Sequence, residues 1–262
     1  MRVLTWNLWW RYGDWRNRRN AIVGALREAD PDVCGLQEVW GDEDRNFALE
    51  LAEELGMRAV FAPTAPPAGA GDSDVGMGNA ILSRWPILSS AALPLGGGED
   101  RSVCHAVIEA PSGRLPFFTT HLTYGPGSSA LRQDQVRSLV HIVARHSADR
   151  AYPVVVTGDL NAEPGSDEIR LLGGLLTPPA VPGLVLLDAW DCVAPSEPGY
   201  TWSRSNPHLA DSGAYDSRID YIMVGLPDSR PGRIRSVRLA GNTMTAGAWG
   251  SDHFAVVADL ED

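Results

Sequence analysis

Residues 1–8, MRVLTWNL, alternate in the period-two pattern of a strand, and Asp14 then stands where an N-cap belongs ahead of Ile22, Val23, Leu26 and Ala29 at helical spacing. Ala29-Asp30-Pro31 ends that helix, because proline supplies no amide donor. The run 32–38, DVCGLQE, predicts a buried strand that closes on two polar residues, followed by a helix over 45–55 and a short strand over 58–61. Residues 63–78 are rich in Pro, Ala, Gly, Ser and Asp without periodicity and predict a long loop. Strands follow at 79–82, 87–93, 102–109 and 115–121, the last two joined by the turn Pro111-Ser112-Gly113. A helix over 129–146 leads to a strand at 154–157, and further strands are expected at 184–187, 219–224, 234–239 and 254–259. Antiparallel hairpins mixed with helix crossovers place helices on the outer faces of stacked sheets.

A chain of 262 residues with 44% hydrophobic content suits one large domain spanning 1–262. The opening segment turns polar at Arg11 and offers no signal-peptide hydrophobic stretch. No run approaches the roughly 18 apolar residues of a membrane span, so the expectation is a soluble, cytoplasmic protein without a transmembrane segment. Cys34, Cys104 and Cys192 are odd in number and widely spaced, which fits small buried side chains better than a disulfide framework or a zinc site. The net charge of −11 disfavours duplex DNA as a partner, since backbone binding rests on a positive surface. All 22 basic residues are arginine, which suits bidentate phosphate contacts but accords better with a compositional bias of the whole chain.

Several strands end in side chains that a strand interior does not choose. Asn7 lies inside an apolar strand, and Glu38 closes one, where an unpaired charge is costly unless a metal or an arginine resolves it. Asp159 and Asn161 follow VVVT with a spacing of two, which puts carboxylate and amide on one side of an extended chain, able to orient water and stabilise an oxyanion. Asp220 sits within RIDYIMV, with either Arg218 or a histidine as its partner. Asp252-His253 sets a metal-competent carboxylate beside an imidazole at the mouth of the last strand, and His121 ends its strand after FFTT. Each alone is more simply a satisfied structural group; together they point to a site, and hard oxygen ligands point to magnesium or manganese rather than zinc.

Thr5-Trp6-Asn7, Leu36-Gln37-Glu38-Val39, Gly78-Asn79-Ala80-Ile81-Leu82-Ser83, Thr120-His121-Leu122, Gly158-Asp159-Leu160-Asn161, Arg218-Ile219-Asp220-Tyr221 and Ser251-Asp252-His253 occur in the order and approximate spacing of the endonuclease/exonuclease/phosphatase superfamily, which the chain resembles from residue 3 to residue 257. The resemblance implies a four-layer αββα sandwich, two mixed β-sheets packed face to face with helices outside. It implies Glu38 as the principal metal ligand, with Asn7 and Asp252 close to the ion. By the same resemblance Asp159 orients or deprotonates the attacking water and Asn161 holds the developing phosphorane. His253, oriented by Asp220, contacts a phosphate oxygen, with His121 as a second donor. Where deoxyribonuclease-like members pair that second histidine with a carboxylate, Gly76-Met77-Gly78-Asn79 offers none, and Asp74 is the nearest.

The implied activity is Mg²⁺-dependent hydrolysis of a phosphoester, monoester or diester, in a small molecule, a lipid headgroup or a single-stranded nucleotide. A DNA endonuclease, exonuclease or repair phosphodiesterase is the second reading, supported by Arg11, Arg16, Arg18 and Arg19 interleaved with Trp9, Trp10, Tyr12 and Trp15, although a solvated helix face over packed aromatics explains that cluster slightly better. A non-catalytic binding module is the third, and the presence of Glu38, Asp159, Asp220 and Asp252 together argues against it. Arg101 and His105 are expected on a solvated edge strand, and Trp202 and Trp249 as packing residues near the motif loops.

Overall fold

Alternation along the strands sorts apolar side chains into three separate cores. A computed structural model of the chain describes residues 1–42, 44–67, 75–97, 100–148, 150–210, 212–213, 215–226 and 231–262. Among these the order is β1 (Arg2–Asn7), α1 (Trp15–Ala29), β2 (Val33–Trp40), α2 (Phe47–Leu55), β3 (Arg58–Thr64), β4 (Met77–Ser83), β5 (Ile87–Pro94), β6 (Ser102–Ala110), β7 (Gly113–His121), α3 (Ser129–Arg145), β8 (Val155–Asp159), α4 (Asp167–Gly173), β9 (Leu186–Asp188), α5 (Ala189–Val193), β10 (Asp220–Gly225), β11 (Ile234–Ala240) and β12 (Ala255–Leu260). The strands form two six-stranded sheets, ordered β11-β12-β1-β2-β4-β3 and β5-β6-β7-β8-β10-β9.

Val3, Val33, Ile81, Phe117, Val155, Ile222 and Val256 meet between the sheets, where all are buried. Leu4, Trp6 and Leu36 face the other way, onto Ile22, Val23 and Leu26 of α1 and Phe47 and Leu51 of α2. Phe118, Val156 and Met223 pack outward against Val136, Leu139, Val140 and Val143 of α3 and Leu172 of α4. The result is the expected αββα sandwich. Asp14 does cap α1, its side chain accepting from the Asn17 amide.

Each sheet has one parallel pair, β1 with β2 and β7 with β8, bridged by α1 and α3 respectively. The C-terminal ends of these four central strands lie together and carry Asn7, Glu38, His121 and Asp159. A buried polar bridge fixes the two sheets there: Gln37 Nε2 donates to Thr119 Oγ1 at 2.7 Å and to Thr5 Oγ1 at 3.1 Å. The sheets approach so closely at Gly35 that a Cβ would overlap Thr157 Oγ1 and stand 2.8 Å from Thr119 Oγ1. Gly35→Ala is therefore expected to destabilise the fold by about 1–3 kcal/mol, measurable by urea denaturation at constant m-value.

Three expectations change. Strands β3 and β4 run into the stretch read as loop, to Thr64 and from Met77, because their ladder pairs Thr64 with Met77. Helices α4 and α5 were not predicted; at 7 and 5 residues they are too short to show periodicity. Cys34 and Cys104 are buried as expected, but Cys192 is exposed at the end of α5. Among the described residues no helix is long and apolar enough to cross a membrane.

Candidate active site

Glu38 owes its direction to an irregularity. The β2–β4 register shifts between Leu36 and Val39, and Glu38 takes φ 50, a left-handed conformation that turns its side chain out of the ladder and into the space between the sheet ends. Asn7 Nδ2 donates to Glu38 Oε1 at 3.1 Å and to Asp159 Oδ2 at 3.0 Å, so one amide ties the principal carboxylates of both sheets. The Asn7 backbone is held in turn by Ser251, whose hydroxyl donates to Asn7 O at 2.6 Å and lies 3.2 Å from Asp252 Oδ1. Ser251 belongs to the Ser251-Asp252-His253 motif, but its hold on β1 has no signal in the sequence.

Asp159 and Asp220 are direct cross-strand partners in β8 and β10, an arrangement in which two like charges repel. His253 stands against both: its Nδ1 is 2.9 Å from Asp220 Oδ2 and its Nε2 3.7 Å from Asp159 Oδ2. Burial pushes the His253 imidazole toward neutrality, but Asp220, Asp159 and Asp252 together outweigh it and hold its pKa well above the ordinary value. Arg218, the alternative partner of Asp220, instead pairs with Asp188 and with Asp191 at 2.6 Å. Thr201 Oγ1 accepts from the Asp220 amide at 3.3 Å, and the Trp202 ring packs on the His253 ring with centroids 4.8 Å apart. No pattern in the sequence marked Thr201, which reaches the site from a loop.

Asn161 also has a positive φ, 47, and its amide N–H returns to Asp159 Oδ1 at 3.0 Å while its Nδ2 donates to Leu122 O at 3.1 Å. His121 lies 3.4 Å from Asp159 Oδ2 and 3.9 Å from Glu38 Oε1. Its neighbouring carboxylates are thus Asp159 and Glu38; Asp74, the residue singled out from sequence, lies outside the described residues. Burial drives the His121 pKa down to about 3 despite Asp159, leaving a neutral ring.

Burial and Asp252 push the Glu38 carboxyl up to about 7, and burial pushes Asp252 up to about 6. The geometry repeats the point: Glu38 Oε2 is buried with no hydrogen-bond partner among the described residues. An orphaned carboxylate oxygen in the field of a second carboxyl, Asp252, suits a cation with oxygen ligands. Asp159, Asp220 and His253 also lie within the spacing of a metal cluster, their ligand atoms within 4.8 Å of one another. In that trio His253 faces both carboxylates, although Asp220 Oδ1 is, like Glu38 Oε2, buried without a hydrogen-bond partner among the described residues.

These groups floor a cleft of about 660 Å³ walled by Trp9, Tyr12, Pro66, Tyr124 and Trp202, with Arg101 and Asp100 at its rim. One expectation fails here and one holds in part. His105 is buried at 4% exposure in β6, an interior strand, where it stacks on Phe118 and meets His146 at the C-terminal cap of α3, and it does not line the cleft. The arginine cluster is the expected face over packed aromatics at Arg11 and Arg16, which lie over the Trp15 and Trp40 rings, but Arg18 departs from it and is buried.

The sequence model of the Endonuclease/Exonuclease/phosphatase family matches residues 4–253. Comparison with curated proteins gives no match. Among solved structures, the human Nocturnin catalytic domain with bound sulfate is similar at 21% identity and TM-score 0.77, covering 100% of this chain and 94% of that one. The D. rerio TDP2 complexed with single strand DNA product is similar at 19% identity and TM-score 0.76, covering 98% and 97%. An endonuclease/exonuclease/phosphatase from Beutenbergia cavernae is similar at 25% identity and TM-score 0.73, covering 100% of this chain and 71% of that one.

Proposed function

The chain belongs to the endonuclease/exonuclease/phosphatase family, metal-dependent hydrolases of phosphoesters, and on that premise we propose that residues 1–262 act as one domain, a Mg²⁺-dependent phosphodiesterase or phosphatase for a small molecule, a lipid headgroup or a single-stranded nucleotide. The observation that carries this reading is the convergence of Glu38, Asp159, Asp252 and His253 on one cleft with Glu38 Oε2 unpartnered. Glu38, Asn7 and Asp252 would hold the cation, with Mn²⁺ as a substitute. When bound, it neutralises charge on the phosphate and on the leaving oxygen.

The remaining groups divide the proton and charge work. Asp159, its Oδ2 held by Asn7 and its Oδ1 by the Asn161 amide, keeps a fixed orientation in which to accept the proton of an attacking water. Asn161 uses one Nδ2 hydrogen on Leu122 O and keeps the other for a phosphoryl oxygen. His253, held in its charged form by Asp220, offers Nε2–H to a second phosphoryl oxygen. His121, neutral, supplies one further donor without adding charge.

The preference for a small substrate rests on the cleft's walls. They include one arginine, Arg101, in a protein of net charge −11, which suits a single phosphate rather than the backbone of a duplex. Of the Arg/Trp cluster that favoured a DNA nuclease, Arg11 and Arg16 lie over Trp15 and Trp40 and none of the four arginines lines the cleft, which receives only Trp9 and Tyr12 from it. The D. rerio TDP2 complex with single strand DNA product supports keeping a single-stranded nucleotide among the candidates.

Purified protein with Mg²⁺ or Mn²⁺ is expected to hydrolyse members of a panel of phosphomonoesters and phosphodiesters and to stop in EDTA; a silent panel overturns the proposal, and metal-dependent plasmid nicking replaces it with the nuclease reading. Binding of the cation displaces protons from Glu38 and Asp252, with pKa values of about 7 and 6. The rise in Tm on adding Mg²⁺ is therefore expected to grow between pH 5.5 and pH 8, read by differential scanning fluorimetry.

A further inference from the structure

Arg18 stands in the first turn of α1, where the sequence expects solvent, yet it is 2% exposed. Its guanidinium donates to Leu8 O at 3.0 Å, Trp9 O at 2.9 Å, Trp10 O at 3.1 Å, Tyr12 O at 3.0 Å and Gly250 O at 2.7 Å. Among the described residues no carboxylate lies within ion-pair distance of it. A buried cation whose donors all go to main-chain carbonyls is expensive to keep, and what it secures is a backbone shape.

That shape is strained. Trp9 and Trp10 take φ 57 and φ 35, in the left-handed region that bulky side chains avoid. Such a loop persists only where its surroundings over-determine it, and Arg18 contacts four of its five carbonyl-bearing residues from 8 to 12. The loop is also tied to the site, since the Trp9 amide donates to Asn7 Oδ1 at 2.9 Å. It carries Trp9 and Tyr12 into the cleft that holds Glu38, Asp159 and His253. The Trp9 ring is backed by the Arg18 cation at 4.7 Å and by the His208 ring at 4.6 Å. A ring fixed in this way keeps little freedom to lose on stacking with a ligand, so it discriminates by ring shape rather than by bulk.

We propose that Arg18 is a positioning residue that holds Trp9 and Tyr12 as a preformed aromatic wall, and that this wall selects phosphoesters carrying a planar aromatic group near the scissile phosphate. The proposal rests on the phosphoesterase reading above. The probes are benzyl and cyclohexylmethyl esters of one phosphate class, which share a similar leaving oxygen and size but differ in planarity. Wild-type protein with Mg²⁺ is expected to show a KM for the benzyl ester lower by on the order of tenfold, the yield of one ring contact. Trp9→Ala removes that preference and Trp9→Phe restores most of it. Arg18→Met, which keeps an unbranched stem but is shorter and has no donors, raises the KM for the benzyl ester several-fold more than it lowers kcat.

Equal KM values for the two esters in wild type overturn the proposal, as does a preference that survives Trp9→Ala. A loss of kcat on both esters in Arg18→Met with both KM values unmoved reduces Arg18 to a fold-only role and likewise overturns it. If wild type hydrolyses neither ester nor any other member of the panel, the phosphoesterase reading falls and takes the proposal with it; hydrolysis without preference removes the proposal alone.

Discussion

Glu38→Gln is expected to abolish metal-dependent hydrolysis, by roughly 10³-fold or more, and at the same time to make the metal-free protein more stable. Loss of activity follows from removing the carboxylate proposed as the principal ligand, since a bound cation contributes several kcal/mol of charge stabilisation in the transition state. The gain in stability follows from the pKa. Glu38 is raised to about 7 in the fold, from 4.5, by burial and by Asp252, and 16% of its side chain is exposed. Its ionised form is thus disfavoured in the folded state, and the metal-free fold loses stability as pH rises from about 4.5 through 7, by roughly 2–3 kcal/mol above that range. Glutamine keeps the acceptor for Asn7 Nδ2 and carries no charge, so in EDTA at pH 8 it should melt above wild type. Mg²⁺ at a hundredfold excess over Kd is expected to close that gap, because it stabilises wild type by about 2.7 kcal/mol and the variant by less. Parallel melts with and without metal, together with initial rates, check this; a variant that hydrolyses at wild-type rates removes Glu38 from the proposed metal site.

Asp220→Asn separates orientation from charge. The amide retains the shape but no longer holds His253 in its charged form, and turnover is expected to fall by about 10²–10⁴-fold with the affinity for metal within a few-fold of wild type. The stability effect has a pH signature. His253 has a folded-state pKa well above its ordinary 6.5, so the stability it contributes is fully present below 6.5 and is lost as pH rises through the folded value. Asp220 is among the main causes of that elevation, after burial has acted in the opposite sense. In EDTA at pH 6 the variant should therefore be less stable than wild type by about 1–3 kcal/mol, and the gap should narrow in alkaline solution. Urea melts at pH 6 and pH 9 read the difference; a gap that does not change with pH assigns the Asp220–His253 contact to packing alone.

The sheets and the site were legible in the sequence to different depths and for different reasons. Short apolar runs, alternating or continuous, announced every strand from β1 to β12 in approximate place, because the central strands are buried on both faces and the outer ones on one. The polar ends of those strands stood out for the same reason: Asn7, Glu38, Asp159 and Asp220 interrupt runs that burial would otherwise keep apolar. Their order along the chain carried the family resemblance, and the αββα arrangement bears it out. Short elements without a full period, α4 and α5, stayed hidden.

What only the tertiary structure decided are the relations between residues far apart in the chain. The bulge that aims Glu38 arises from the β2–β4 pairing, and the choice of His253 over Arg218 for Asp220 arises from where Asp188 lies. The neighbours of His121 come from β2 and β8. Arg18 is the clearest case. Helical spacing sets it with Ile22, Ala25 and Leu26 on the buried face of α1, apart from Arg16 and Arg19, but does not say what meets its charge there. Its burial depends on a loop that precedes the helix and on Gly250 near the other end of the chain. Periodicity reports which face of an element is apolar; it does not report which carbonyls another segment brings to a polar one. Local pattern thus fixes the strands and the longer helices, the oxygen-rich chemistry and the family, while long-range contacts set the charge states, the partners and the shape of the cleft wall.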